Sequence, residues 1–509
     1  MKRFVVVGAI VLGVFSLANL MRAQDLSAAY TLPQLQAQIA AQLAQPRFAG
    51  ALWGVKVVAL DSGQTIFAEH ADRLMTPASN TKLYTAALGL DQLGGDYRFE
   101  TPVYAFGKIG RNGTLRGDLC VVGQGDPSWN QRRLGTNFWA IFEPFVRVII
   151  QAGVRRVNGD LLADTTFFHG PPTGAGWQID DLRAGNVGLL SALSLNDNLA
   201  QVRVEPGAQP GWPCQVTLLQ PGTGLVLSNL TTTVARNLTP HIELFPVPET
   251  SVIDVLGQLP VNADRGVLDV AVPRPADWFA AGLKLALARS GVLVTGRVRV
   301  FSWPETPGRD ARATTKLGTV SSPPLREVVA GFMKPSQNLE TDLLLAAVGE
   351  KLRPADAPAW ESSAASGLIA LTNFLAKAGV PAAEVSFNEG SGLSRDNLTT
   401  ASATVALLQF MAKHREAEAF LASLPVAGVD GTLKGRLRGP ATAGNVRAKT
   451  GTLHWASALS GYVTTAGGER WAFCFMLNRF TPAPGHLTGE ELDSLAVLLA
   501  KFAGHPEKL

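Results

Sequence analysis

TPASNTKLYTAAL, residues 76–88, decides how the rest of the chain is read. Thr76-Pro77-Ala78 is a loop. Ser79 to Leu88 has helix spacing, and it places Ser79 and Lys82 three residues apart on one face. A Ser hydroxyl is a poor nucleophile until a base takes its proton. Lys82 is such a base only when neutral, which requires its amine to fall from about 10.4 to near 7 through burial, neighbouring positive charge and the helix N-terminus. The free backbone N–H of Ser79 at that N-terminus would help to stabilise an oxyanion. Upstream, residues 51–60 (ALWGVKVVAL) read as a strand, Asp61-Ser62-Gly63 as a turn and Gln64–Glu69 as a returning strand. The order is hairpin, loop, helix.

Outward from this block the texture changes twice. From 96 to about 304, short β-rich runs alternate with Gly/Pro turns: Leu119–Val122, Gln201–Val204, Gln215–Leu218, Val267–Val272 and Val292–Phe301. Helices are expected there over Asn137–Ala152 and Ala276–Ser290. Phe301–Lys316, rich in Pro, Arg and Thr, reads as a connector. Helical spacing then returns over Pro324–Met333, Leu339–Leu352, Ser362–Ala378 and Thr400–His414. Strands follow at Asn445–Thr452, Ala458–Thr464 and Arg470–Asn478, and a last helix at Glu490–Phe502. The pattern predicts one α/β domain split in sequence, residues 24–95 and 305–509. A β-rich insertion of one or two small domains, residues 96–304, would lie between its parts.

Two further motifs suit the Ser-Lys pair. Lys449-Thr450-Gly451-Thr452 lies on an expected strand, where a Lys and two hydroxyls could hold a carboxylate and Gly451 would let a substrate backbone approach. Ser-x-Asn occurs at Ser128–Asn130, Ser194–Asn196, Ser336–Asn338 and Ser386–Asn388. The third falls in a Lys334-Pro335 break between two helices, and is chosen; the fourth precedes a Gly-Ser-Gly loop and is its rival. A lone Ser-x-x-Lys arises about once by chance in a chain this long. The ordered triplet is the signature of class A β-lactamases and penicillin-binding proteins, with Gln337 standing where that signature has Asp.

Composition narrows the alternatives. The 509 residues are 46% hydrophobic and 17% charged, a globular balance. The net charge of +4 falls to +1 once Lys2, Arg3 and Arg22 are set aside, so no basic block remains for a nucleic acid. Lys2 and Arg3 precede an apolar run, Phe4–Leu20, and Ala23 precedes Gln24. Residues 1–23 therefore read as a signal peptide, and the protein as periplasmic or otherwise extracytoplasmic. An uncleaved anchor, with peripheral membrane association, is the alternative. Three Cys, at 120, 214 and 474, make no disulfide framework and are expected as buried thiols. The seven His are scattered without ligand spacing, so no metal or cofactor is expected.

The chain resembles the D-alanyl-D-alanine carboxypeptidase/endopeptidase family, the class C, type-4 low-molecular-weight penicillin-binding proteins. The most specific mark is the interval of 257 residues from Ser79 to Ser336, for which a compact class A β-lactamase has no room. Gly123-Gln124-Gly125-Asp126-Pro127, Lys334-Pro335-Ser336-Gln337-Asn338-Leu339, Gly390-Ser391-Gly392-Leu393-Ser394-Arg395 and Asp430-Gly431-Thr432-Leu433 are family-like strings; most are read here as structural, Asp430-Gly431-Thr432 as a turn, while Arg395 or Asp126 could equally be surface or substrate-facing. The resemblance implies a β-lactamase/transpeptidase-like serine hydrolase fold and cleavage of peptidoglycan stem peptides ending in D-Ala-D-Ala through an acyl-enzyme. It implies β-lactams as covalent inhibitors. Ser79 would attack, Lys82 act as base and Ser336 relay a proton. Asn338 would bind the substrate amide, Lys449, Thr450 and Thr452 the terminal carboxylate, and the Thr452 N–H would complete the oxyanion hole. A β-lactamase or esterase on the same site would need a deacylating carboxylate; Glu340 and Asp342 lie close in sequence, on a helix where both are expected to be solvated. A non-catalytic wall-binding scaffold would need no such Ser/Lys set.

Overall fold

The computed structural model describes residues 31–135, 137–183, 185–247, 250–305, 314–482 and 488–504; the expected signal peptide lies outside them. The described residues open with α1 (Leu32–Leu43), β1 (Leu52–Ala59) and β2 (Thr65–Glu69), then a 3₁₀ turn (Ala78–Asn80) that runs into α2 (Thr81–Leu93). The inserted unit holds β3 (Glu100–Ile109), β4 (Thr114–Val122), α3 (Glu143–Gln151), β5 (Arg156–Val157), β6 (Leu161–Asp164), β7 (Leu199–Glu205), β8 (Gln215–Leu218), β9 (Val226–Val234), β10 (His241–Pro246), β11 (Val252–Pro260), β12 (Gly266–Ala271), α4 (Pro275–Arg289), β13 (Leu293–Val294), β14 (Val298–Phe301) and β15 (Thr314–Ser321). After it come α5 (Leu325–Met333), α6 (Asn338–Leu352), α7 (Ser363–Lys377), the short β16 (Val385–Ser386) and β17 (Leu398–Thr399), and α8 (Ala401–Ala412). β18 (Arg447–Leu453), β19 (Ala456–Thr464), β20 (Arg470–Asn478) and α9 (Thr488–Lys501) close the chain.

The central sheet has the order β18-β19-β20-β1-β2, every pair antiparallel. β20 shows why it is covered on both sides. Trp471, Phe473, Phe475 and Leu477 join one core with Leu35, Ile39, Leu495 and Leu499 of α1 and α9. Ala472, Cys474 and Met476, alternating with them, join another with residues of α2, α5, α6 and α8. Period-two alternation sends each set to its own face. α2 is buried from Thr81 to Asp91, so it is a central helix rather than a surface one. A Cβ at Gly89 would meet Leu344 at 2.8 Å, so glycine sets the close crossing of α2 and α6.

The insertion has a separate core, built on Trp129, Phe138, Phe142, Phe145, Trp278 and Phe279. It comprises a seven-stranded sheet and two three-stranded sheets, β12-β7-β8 and β10-β11-β9. Three expectations change here. The return to the hydrolase part was expected at 305, but β15 pairs antiparallel with β3 along Thr314–Ser321, so the insertion's sheet extends to 321. Val292–Phe301 is two strands, because Gly296 and Arg297 turn their N–H groups to Gly159 O and Asp160 Oδ1. Asn137–Ala152 is likewise a 3₁₀ turn (Phe138–Ile141) followed by α3, with Pro144 in its first turn. The three Cys are buried and form no disulfide with one another. Among the described residues, no helix is long and apolar enough to cross a membrane.

Candidate active site

Ser79 sits in the 3₁₀ turn just ahead of α2, not inside the helix as the spacing suggested. The turn still presents it one helical turn from Lys82, whose Nζ lies 3.0 Å from Ser79 Oγ. Ala78, wholly buried, takes a left-handed φ of 48°, a conformation that costs about 1–3 kcal/mol in a non-glycine residue and persists only where its surroundings impose it. β18 supplies those surroundings. The place of a Cβ on Gly451 is 2.5 Å from Pro77 O, 3.2 Å from Ala78 Cβ and 3.2 Å from Asn80 N. Gly451 was expected to admit a substrate backbone; what approaches it is the nucleophile's own turn. Asn80 Nδ2 fastens that turn to Ser460 Oγ of β19 at 2.7 Å.

Lys82 is fully buried, and its Nζ also reaches Asn338 Oδ1 at 2.6 Å and Ser391 O at 2.6 Å. Burial pushes the amine down to about 8, against the pull of the Glu389 and Asp342 carboxylates. The neighbouring positive charge expected to assist is thus outweighed by neighbours of the opposite sign. Lys449, also fully buried, contacts Ser336 Oγ at 2.8 Å and Thr450 O at 2.8 Å. Burial, then the charge of Lys82, holds its amine well below the ordinary lysine value. Ser336 has a φ of 68°, which turns its hydroxyl towards β18 while Asn338, first residue of α6, faces Lys82.

Ser79, Lys82, Ser336, Asn338 and the 449–452 strand are therefore brought together in one cluster. Thr450 is nearly buried, and Thr452 is exposed at the groove edge. The other Ser-x-Asn matches do not join them. Ser194 Oγ donates to Ser191 O, Asn130 Nδ2 to Glu340, and Asn388 N to Asn397 Oδ1. Glu340 and Asp342, expected to be solvated, are 1% and 4% exposed. Glu340 is gripped by Asn130, Arg132 and Arg133 of the insertion, and Asp342 Oδ1 accepts the Gly390 N–H at 2.8 Å. The insertion thus covers Glu340 and the 389–392 loop covers Asp342, so the expected solvent face of α6 is a buried one.

Four contributors escaped the sequence reading. Ser391 offers only a backbone carbonyl, which no motif reveals. Glu389 lies one residue ahead of the Gly-Ser-Gly string and organises it. Thr432, read as part of a turn, places Oγ1 2.7 Å from Thr450 Oγ1 and adds a hydroxyl to the groove. Asn186 of the insertion accepts the Asn338 Nδ2 proton on its carbonyl at 2.8 Å. Arg395 is held by Asp181 at 2.7 Å.

Comparison with known proteins gives the family. The model of the D-Ala-D-Ala carboxypeptidase 3 (S13) family matches residues 35–498. The chain is 35% identical over 486 residues to the D-alanyl-D-alanine carboxypeptidase of Actinomadura sp. (strain R39), covering 93% of this chain and 86% of that one. It is 28% identical to the D-alanyl-D-alanine carboxypeptidase of Haemophilus influenzae, with 90% and 91% covered. The crystal structure of penicillin binding protein 4 from Haemophilus influenzae superimposes with a TM-score of 0.76 at 26% identity, covering 89% of this chain and 97% of that one. A second structure of that protein, complexed with a β-lactam, gives 0.71 at the same identity, with 89% and 96% covered.

Proposed function

The chain belongs to the D-Ala-D-Ala carboxypeptidase 3 (S13) family, and on that premise we propose how its groove carries out the reaction. The protein is a serine hydrolase, a D-Ala-D-Ala carboxypeptidase/endopeptidase acting on peptidoglycan. Neutral Lys82 takes the Ser79 proton as Oγ attacks the carbonyl of the penultimate D-Ala. The backbone N–H groups of Ser79 and Thr452 receive the developing oxyanion. Asn338 holds the substrate amide. The terminal carboxylate rests on the hydroxyls of Thr450 and Thr452 in the positive potential of Lys449. Lys82 gives that proton up to the departing amine through Ser336, which contacts Lys449, so the C–N bond breaks, free D-alanine leaves and Lys82 is neutral again. Water, deprotonated by the same lysine, then cleaves the ester and restores Ser79. β-Lactams acylate the same hydroxyl, and their ester persists because the carboxylates beside Lys82, Glu389 and Asp342, are buried in other contacts.

The observation that carries this reading is the 3.0 Å contact between Ser79 Oγ and a buried amine lowered to about 8. The mature protein incubated with a fluorescent penicillin should keep its label, and with a D-Ala-D-Ala pentapeptide should release D-alanine. Ser79→Ala should abolish labelling and Ser194→Ala should not; equal loss in both folded variants refutes the assignment. Rapid loss of label with drug turnover supports the β-lactamase, and no label with no product the scaffold. We further propose that residues 1–23 direct export and are removed; N-terminal sequencing of the exported protein tests this.

A further inference from the structure

Behind Lys82 lies a loop that the reaction scheme leaves unused. Glu389 is 1% exposed and is surrounded by donors. Its Oε2 accepts the Ser391 N–H at 2.8 Å and the Ser391 hydroxyl. Its Oε1 accepts the Gly392 N–H at 2.7 Å and Asn397 Nδ2 at 2.6 Å. Asp342 takes the remaining peptide N–H, that of Gly390. Three consecutive backbone donors, 390 to 392, thus end on two carboxylates, and the loop is wrapped around them. Gly392, at φ 81°, lets the loop pass under the nucleophile's turn, since a Cβ there would lie 1.9 Å from Ala78 O. The carbonyl left over is that of Ser391, and it points at Lys82 Nζ.

We infer that Glu389, braced by Asp342, is a positioning residue for Lys82: it turns the Ser391 carbonyl onto the amine and thereby aims the amine's lone pair at Ser79. The inference rests on the acyl-enzyme reading above. A neutral amine has two hydrogens and one lone pair in tetrahedral directions. Nζ has three neighbours: Asn338 Oδ1, Ser391 O and Ser79 Oγ. The first two are fixed acceptors that can only receive hydrogens. With both engaged, the lone pair has one direction left, towards the Ser79 hydroxyl proton. Without the Ser391 carbonyl a hydrogen can face Ser79 instead, and the base is misaligned in part of the population.

Charge adds a second, separable effect. The charged groups facing Lys82 are Glu389 from the loop, Asp342 from α6 and Lys449 from β18. Burial, then the charge of Glu389, holds the Asp342 carboxyl well above its usual range, and of the two carboxylates the larger pull on Lys82 is the charge of Glu389. That charge raises the Lys82 amine against the lowering effect of burial. Neutralising Glu389 must therefore lower the Lys82 pKa, and the acid limb of acylation must move to lower pH.

The test is the rate of acylation by a fluorescent penicillin across pH 5–10 in the full mature chain. In Glu389→Gln the limb should move down by about one pH unit, and the plateau should fall about tenfold or more, because one side of the carboxylate's donor set loses its acceptor. Glu389→Asp keeps the charge but shortens the reach; its limb should stay in place while its plateau falls. Asp342→Asn keeps the acceptor for Gly390 and removes the smaller of the two carboxylate pulls on Lys82, so its limb should move down less than that of Glu389→Gln. Overturning results are an unmoved limb in folded Glu389→Gln, a wild-type plateau in Glu389→Asp, or a downward shift in Asp342→Asn equal to that expected for Glu389→Gln. If Glu389→Gln does not fold, the other two variants decide. Wild-type protein that takes no label would instead refute the Ser79 reading itself.

Discussion

Adding one methyl group at Gly451 should separate catalysis from stability. Gly451 has no left-handed φ, so alanine fits the β18 backbone there. The obstacle is contact: its Cβ would stand 2.5 Å from Pro77 O, where 3.4 Å begins ordinary van der Waals distance. The colliding atom is backbone, and Ala78 Cβ and Asn80 N at 3.2 Å block escape on the flanks. About 0.9 Å of relief must come from moving the turn off the strand, and a displacement of about 1 Å near the reacting atoms costs roughly 10²-fold in rate. Overpacking costs about 1–3 kcal/mol, offset by about 0.4–1 kcal/mol from the stiffer unfolded chain. Gly451→Ala should therefore stay folded, with a small drop in Tm, while its second-order rate of penicillin acylation falls about 100-fold. Stopped-flow labelling beside a thermal melt measures both. Acylation within about threefold of wild type would refute the idea that Gly451 seats the nucleophile's turn.

With the Lys82 amine at about 8, acylation should fall close to tenfold per pH unit below pH 7 and level off above pH 9; a flat profile from pH 5 to 9 would show that the base is already neutral. Thr432→Val removes the hydroxyl that meets Thr450, so KM for the pentapeptide should rise about five- to tenfold with kcat within about twofold, as read from released D-alanine. Glu340→Ala takes from Arg132 and Arg133 their shared acceptor beneath the insertion, and since Arg132 keeps Asp197 the loss should be about 1.5–3 kcal/mol in denaturant unfolding. Glu340→Gln, which keeps the shape, should lose less.

The hydrolase part was legible because its signals are local. β20 alternates large and small apolar residues, and each set reaches a different core. The Ser79–Lys82 spacing holds whether the turn before Lys82 is α or 3₁₀, since in both i and i+3 lie near each other. What the sequence hid is non-local. β15 follows a Pro-rich connector and pairs with β3, more than 200 residues upstream, and no period in the chain encodes that partner. Glu340 and Asp342 carry the look of a solvated helix face, but the insertion grips Glu340 and the distant 389–392 loop takes Asp342, and neither partner is encoded near α6. Ser391 acts through a carbonyl, which every residue has, so its identity carries no signal.

The insertion's contacts argue that it belongs to the catalytic device. Three of the four residues from 337 to 340 are held from its side. Gln337 Nε2 reaches Asp197 at 2.9 Å, Asn338 Nδ2 reaches Asn186 O at 2.8 Å, and Glu340 is clasped by Asn130, Arg132 and Arg133. An Asn amide has two ends, and fixing the Nδ2 end on Asn186 commits the Oδ1 end to Lys82. The insertion therefore decides which way Asn338 faces, and through it one of the two acceptors that orient the base. Asn186 acts through its backbone, so Asn186→Ala should leave acylation unchanged. Asp197→Ala frees Gln337 and takes from Arg132 one of its two carboxylate partners, and should slow acylation without altering the pH at which the acid limb lies. A shifted limb in that variant would mean that Asp197 acts on Lys82 through charge, and the mechanical account of the insertion would fail.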